Sequence, residues 1–372
     1  ILAGTLGAAP STINLGDQES SPAPPRVQPR RRPLPAVSHQ EPAIDWGDLP
    51  DRSAFYGREE DLALLNRWLT SDGAGLVVIA GMGGVGKTTL ATEAVARLAP
   101  ETYDLVVCRS LVNAPPLAAM LDNWLQALAD PQLDRPPTTL DEKLALLFGE
   151  LPFRRCLLVL DNAESIMQSG ARSGYFLAGY EDYGQLIARM GRSRHRSCLL
   201  LTTRDLPRGV RRMEEDHPRT RILTLDGLST GAGRQLLRER GVVAPAAALE
   251  MLVERYSGNP LALKLVADTV RDLFGADVAA FLRDETPLFE DIRSMLDEQF
   301  ARLSDLQREL ITWLAIERRP VAIPTLRNDL VRPPGQGQFL GEIDSLRRGS
   351  LVDETGGNGH DAALLLRLQN VV

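Results

Sequence analysis

At 372 residues the chain is longer than one typical domain and has room for two or three packed units. An apolar share of 44% and a charged share of 24% exclude a disordered or fibrous chain, and a net charge of -7 removes the broad cationic field on which non-specific binding to nucleic-acid backbones relies. No run of about 18 apolar residues reads as a membrane span, and the start lacks the charged-then-apolar order of a secretory leader, so a cytoplasmic setting is expected.

Residues 1–50 are rich in Pro, Ser and Gln around Arg30, Arg31 and Arg32, a composition that favours extended, solvated backbone and predicts a flexible linker. From Phe55 the texture changes, and Leu62, Leu65, Trp68 and Leu69 recur at helical spacing. Residues 76–80 form a short β-branched apolar run, followed by a glycine-rich stretch and a helix over 87–98 that Pro100 closes. Further apolar runs at 105–107, 157–160 and 198–201 alternate with helical stretches such as 117–128 and 140–147, and 221–225 supplies a last strand. Strands that are apolar throughout and alternate with helices predict an α/β fold, a parallel sheet covered on both faces, over 51–228. Helices over 231–240, 245–257, 260–274 and 277–284 predict a helical subdomain at 229–291. Helices over 292–302 and 304–316, then apolar stretches at 350–353 and 364–368 flanking Gly356, Gly357, Asn358 and Gly359, predict a winged-helix unit over 292–372. The chain starts at Ile1 and stops at Val372 inside an apolar run, so it reads as a piece of something longer.

The chemistry centres on Gly81, Met82, Gly83, Gly84, Val85, Gly86, Lys87 and Thr88, which match G-x-x-x-x-G-K-T. The glycines let successive backbone N–H groups turn towards phosphate oxygens, and the following helix directs its positive end at the same anion. Lys87 adds a full charge for the β- and γ-phosphates, Thr88 offers a hydroxyl to Mg²⁺, and Thr89 follows in the binding stretch. The stretch is therefore read as an ATP/ADP site. Only three of the 42 basic residues are lysines, Lys87, Lys143 and Lys264. The run 157–160 delivers Asp161 from the end of a buried strand as the second metal contact. Residues 198–203 deliver Arg204 in the same way, as a reader of the γ-phosphate. Cys108, Cys156 and Cys198 lie in or beside strands as small core residues, and the four histidines show no ligand spacing.

Taken in order, these motifs resemble the NB-ARC branch of the STAND signal-transduction ATPases. Phe55, Tyr56, Gly57, Arg58 and Glu59 look like the hhGRE motif, which by resemblance lines the adenine pocket. Thr202, Thr203 and Arg204 look like sensor 1. Gly258, Asn259, Pro260, Leu261, Ala262 and Leu263 resemble the GLPL-type motif, whose proline by resemblance packs on adenine. Many relatives carry two acids after the Walker B strand, whereas Asn162 follows Asp161 here, leaving Glu164 as the candidate water-activating base. Where relatives show Met-His-Asp, this chain has Leu368, Gln369 and Asn370, so Gln369 takes the place of the ADP-contacting histidine; His360 and Asp361 fall in the glycine-rich turn. The resemblance implies a switch, ADP-bound at rest and driven by ATP to self-associate. It also implies slow hydrolysis, an effector domain upstream and a repeat-built sensor downstream. Two other readings stand beside it. A DNA-binding transcription regulator would use the winged helix, yet residues 301–372 hold nine arginines against nine acids. A processive AAA+ motor would need rapid turnover.

Overall fold

The computed structural model describes residues 43–47, 49–50, 52, 54–98, 102–128, 137–283, 297, 300–317, 319–349, 351–355 and 365–368. The first part of the chain alternates strands and helices: β1 Ala43–Asp45, α1 Glu59–Thr70, β2 Leu76–Ala80, α2 Lys87–Ala96, β3 Leu105–Ser110, α3 Leu117–Leu128, α4 Leu140–Glu150, β4 Cys156–Asp161, α5 Glu181–Arg192, β5 Cys198–Thr203, α6 Val210–Asp216 and β6 Thr220–Thr224. All six strands pair in parallel, in the order β1-β3-β4-β5-β2-β6.

The uniformly apolar strands are explained by where their alternate side chains go. Val78, Val107, Leu158 and Leu199 enter one apolar cluster with α3, α4 and α5, while Val77, Val106, Leu157 and Leu200 enter another with α1 and α2. Period-two alternation thus feeds two cores, one on each face. Helix starts follow local chemistry: Thr139 caps α4, its hydroxyl accepting from Glu142 N at 3.2 Å while the Glu142 carboxylate accepts from Thr139 N at 3.1 Å. The three cysteines lie buried in β3, β4 and β5, and burial pushes the thiols up, Cys108 and Cys198 to about 12 and Cys156 to about 11.

One correction concerns the expected linker. Ala43–Asp45 lies within the stretch assigned to it, yet it pairs with β3 as an edge strand, and Asp45 accepts a 2.6 Å ion pair from Arg109. Three residues are too few to carry a periodic pattern, so composition alone does not separate them from the Pro-rich stretch.

The remaining helices are α7 Thr230–Glu239, α8 Ala246–Arg255, α9 Pro260–Leu273 and α10 Val278–Arg283. After them come helices Asp305–Glu317, Ile323–Asp329 and Gln336–Arg348, with β7 Val321–Ala322, β8 Val352–Thr355 and β9 Leu365–Leu368 forming a second sheet, β7-β9-β8, antiparallel throughout. A single apolar cluster runs from Leu236 and Val266 through Leu310 to Phe339 and Leu366, so the helical stretch and the C-terminal unit share one core. The helix expected over 292–302 lies largely outside the described residues, as do Gly356, Gly357, Asn358 and Gly359 of the expected turn, His360, Asp361 and Gln369.

Candidate nucleotide-binding site

The strand order assembles the site. β5 lies between β2 and β4, so the loop after β2, the Asp161 tip of β4 and the Thr202-Thr203-Arg204 tip of β5 stand side by side at the C-terminal edge of the sheet. Ligands of open parallel sheets bind at this edge.

The loop between β2 and α2 has the shape its glycines require. Gly81, Gly84 and Gly86 hold φ of 155°, 76° and 99°. A Cβ at Gly81 would come 2.6 Å from Leu225 O, and one at Gly84 would come 2.8 Å from the Leu261 Cβ. Among the described residues the N–H groups of Gly84, Gly86, Lys87 and Thr88 meet no acceptor, which leaves a cradle of donors at the start of α2. Lys87 is buried and folds back on this loop, donating to Gly81 O at 2.8 Å and Met82 O at 3.0 Å. Burial holds its ammonium down to about 8, against the opposing pull of Glu164. A compact ammonium beside unpaired N–H groups fits an anion in the loop.

Asp161 is buried and takes two hydroxyl donors on one oxygen, Thr88 at 2.8 Å and Thr202 at 2.5 Å, while Asn162 Nδ2 donates to the other at 2.9 Å. Burial raises its carboxyl above the usual range, and the two threonine hydroxyls work against that rise. Thr88 and Asp161 would supply a hydroxyl and a carboxylate to Mg²⁺, the hard oxygen ligands it prefers. Asn162, at φ 62°, turns the chain so that Glu164 points back to the site. There the buried Glu164 carboxylate meets the Arg204 guanidinium at 3.0 Å and accepts from Arg204 N at 3.1 Å. The candidate base and the candidate γ-phosphate reader are thus partners of one another.

An open cleft lies beside the loop, lined by Phe55, Tyr56, Arg58, Val85, Thr89 and Pro260 among others. Arg58 ties its wall to the loop, donating to Val85 O at 3.3 Å and to Asp226 O. Gly57, at φ 55°, lies so close to α7 that a Cβ would meet the Ala232 Cβ at 2.2 Å, and the Tyr56 hydroxyl donates to Glu239 of the same helix at 2.8 Å. The Met82 side chain enters the apolar cluster of the helical stretch, so only its backbone is left to face a nucleotide.

Residues given no nucleotide contact by the sequence complete the picture. Asn259, 2% exposed, caps α9 through Leu261 N (3.0 Å) and Ala262 N (3.2 Å), and its amide donates to Gly83 O at 2.9 Å. Leu261 N also reaches Gly84 O at 3.3 Å. A polar residue before Pro at a helix start is a cap signature, so the capping half of this role was readable. Lys264 lines the cleft one helical turn beyond Pro260. Glu93 of α2 accepts from Arg52 at 2.9 and 3.0 Å and from Arg97 at 2.6 Å, with Arg97 stacked 5.5 Å over the Phe55 ring, which fastens the outer wall to the phosphate-loop helix. Beside Arg204, Asp205 pairs with Arg302 at 3.3 Å, and Ser345 donates to Gly170 O at 3.1 Å, so the C-terminal unit contacts the segments that follow both β4 and β5.

Strand order, glycine loop and strand-end carboxylate together define a P-loop ATPase. The AAA ATPase domain family matches residues 54–324, and the chain belongs to it. The chain is 40% identical over 332 residues to a WD repeat-containing protein of Nostoc sp. (strain PCC 7120), covering 86% of this chain and 26% of that protein. It is 36% identical over 151 residues to the regulatory protein AfsR of Streptomyces griseus, covering 38% of this chain and 15% of that protein. It therefore spans about a quarter of the first relative's length and less of the second's. A Walker-type ATPase of Pyrococcus abyssi shares the fold, with a TM-score of 0.53 at 16% identity over 87% of this chain and 97% of that one.

Proposed function

We propose that this chain is the nucleotide-operated switch of a STAND-class, NB-ARC-like signalling ATPase, ADP-bound at rest and driven by ATP to self-associate and activate an attached effector. The observation that carries this reading is the seating of α9 on the phosphate loop, where Asn259 and Leu261 grip the carbonyls of Gly83 and Gly84. A nucleotide held by Lys87, Thr88 and Asp161 on one side and lying against Pro260 on the other would be enclosed by both units, which favours retention over rapid exchange.

In this reading Lys87 leaves the carbonyls of Gly81 and Met82 for phosphate oxygens, and Thr88 and Asp161 hold Mg²⁺. Arg204 has a reason to leave Glu164 only when a γ-phosphate offers it a stronger anionic partner, which supplies the differential contact a population shift requires. Its departure would release Glu164 to orient water for slow hydrolysis, and it would pull on Asp205, the residue that Arg302 of the C-terminal unit holds. That unit orders a helix, a short strand, two helices and a strand pair, which supports its assignment as a winged helix. The WD repeat-containing relative supports a repeat-built sensor in the longer protein.

The test is chromatography of nucleotide released from purified, denatured chain. Stoichiometric ADP is expected, together with turnover far below one ATP per second. An empty site, or many ATP hydrolysed per second, would overturn the switch. Binding to duplex DNA with a steep salt dependence would instead favour a transcription regulator.

A further inference from the structure

Each lysine of this arginine-dominated chain can be asked what its ammonium meets. Lys87 meets two loop carbonyls, and Lys143 meets Asp122 at 2.7 Å. Lys264 meets none: among the described residues it has no ion pair and no hydrogen-bond acceptor, although it is half-buried. The acid one turn further along α9, Asp268, is taken by Arg240 at 3.4 Å and by Arg271 at 3.3 Å. Burial and the nearby charge of Arg240 lower the Lys264 pKa, the mark of an ammonium short of compensation.

The cleft that Lys264 lines decides what could compensate it. Its walls come from Tyr56, Arg58, Val85, Thr89 and Pro260, and they exclude Lys87 and the loop from Gly81 to Gly84. A nucleotide whose phosphates occupy the loop would therefore put its base and sugar here. Of the other polar side chains of this wall, Tyr56 is committed to Glu239 and Arg58 to Val85 O, Asp226 O and Asp61, which leaves the Thr89 hydroxyl and the charged Lys264 ammonium. An ammonium only donates, and adenine offers ring nitrogens that only accept.

We propose that Lys264 is a base-recognising residue that donates a hydrogen bond to a ring nitrogen of the bound adenine. This deepens the nucleotide reading given above and rests on it. A charge-assisted bond in a half-buried cleft separates the correct base from one lacking the acceptor by about tenfold or more.

The experiment measures binding of ATP, its 1-deaza, 3-deaza and 7-deaza analogues, and inorganic tripolyphosphate, to the full chain and to Lys264→Met. The wild-type chain is expected to lose about tenfold for one deaza analogue. Lys264→Met should bind ATP about tenfold more weakly, treat ATP and that analogue alike, and leave tripolyphosphate binding unchanged. A wild-type chain that binds ATP and all three analogues equally overturns the proposal, and it does so even if the variant fails to fold. An equal loss for ATP and every analogue on substitution overturns it too, by pointing to the ribose. A wild-type chain that takes neither ATP nor tripolyphosphate overturns the nucleotide reading and this one with it.

Discussion

Arg204 and Glu164 engage each other twice, guanidinium to carboxylate at 3.0 Å and backbone N–H to carboxylate at 3.1 Å. The pair holds the proposed reader of a γ-phosphate on the proposed water-activating carboxylate, so neither could act in that role while the contact holds. Replacing Glu164 by Gln should lower hydrolysis by about a hundredfold or more while leaving ADP binding intact. Single-turnover assays on preloaded chain check this, and wild-type turnover by Glu164→Gln would locate the base elsewhere. Arg204→Ala should weaken ATP relative to ADP, because only the triphosphate offers the third phosphate that the guanidinium would pair with.

The contact between Asp205 and Arg302 should act as a coupling element as well as a stabilising one. Arg302 is partly exposed but Asp205 is buried, so Arg302→Ala leaves a buried carboxylate short of a partner and should cost about 1–3 kcal/mol in unfolding free energy. The same variant should release ADP faster and raise hydrogen exchange in the segment around Gly170 and Asp205, where Ser345 and Arg302 rest. Unchanged release and exchange would show that the C-terminal unit does not govern the site through this contact.

Asn259 carries two jobs at once, cap of α9 and clamp on the phosphate loop. Asn259→Ala removes the cap and leaves Gly83 O without its donor, a loss of about 1–2 kcal/mol. It should also speed dissociation of a fluorescent ADP analogue, a change that losing the cap alone would not cause. Denaturant unfolding and stopped-flow release separate the two effects.

His195 offers a stability test away from the site. It is buried, and its Nε2 lies 3.1 Å from Met190 O. Burial, helped by the charge of Arg219, lowers its pKa below that of the unfolded chain. Just below about pH 6.5 the unfolded chain therefore binds more protons than the folded one, and stability falls as pH drops through that range and on through the folded pKa. Above about pH 6.5 both states are neutral at this position and it contributes no slope. His195→Gln should show a shallower loss of stability than the wild type between about pH 7 and 5, measured as urea midpoints. Parallel curves would assign the acid sensitivity to other groups.

Much of the site was legible because its logic is local. The strand before Gly81, the glycine spacing and the helix after Lys87 are consecutive in the chain, and so are the apolar run and Asp161 that ends it. The β-branched composition of residues 76–80 and the absence of polar positions in 156–160 were enough to indicate strands covered on both faces. The cap at Asn259 is equally local.

Tertiary structure alone decided the pairings. That β5 separates β2 from β4 depends on crossovers, which no period in the sequence encodes, yet this order is what brings Arg204 to Glu164 across 40 positions of chain. Periodicity likewise says that Met82 is apolar without saying whose core it joins, and that Lys264 lies on a helix without saying that the helix turns it into a cleft where, among the described residues, no acid pairs with it. The short strand Ala43–Asp45 was hidden for a related reason, since an edge strand held by β3 and one ion pair needs no pattern of its own. Sequence thus determined which groups could bind phosphate, because backbone conformation and burial are written in neighbouring residues. Only the packed structure decided which of those groups restrain one another, because that depends on contacts between residues far apart in the chain.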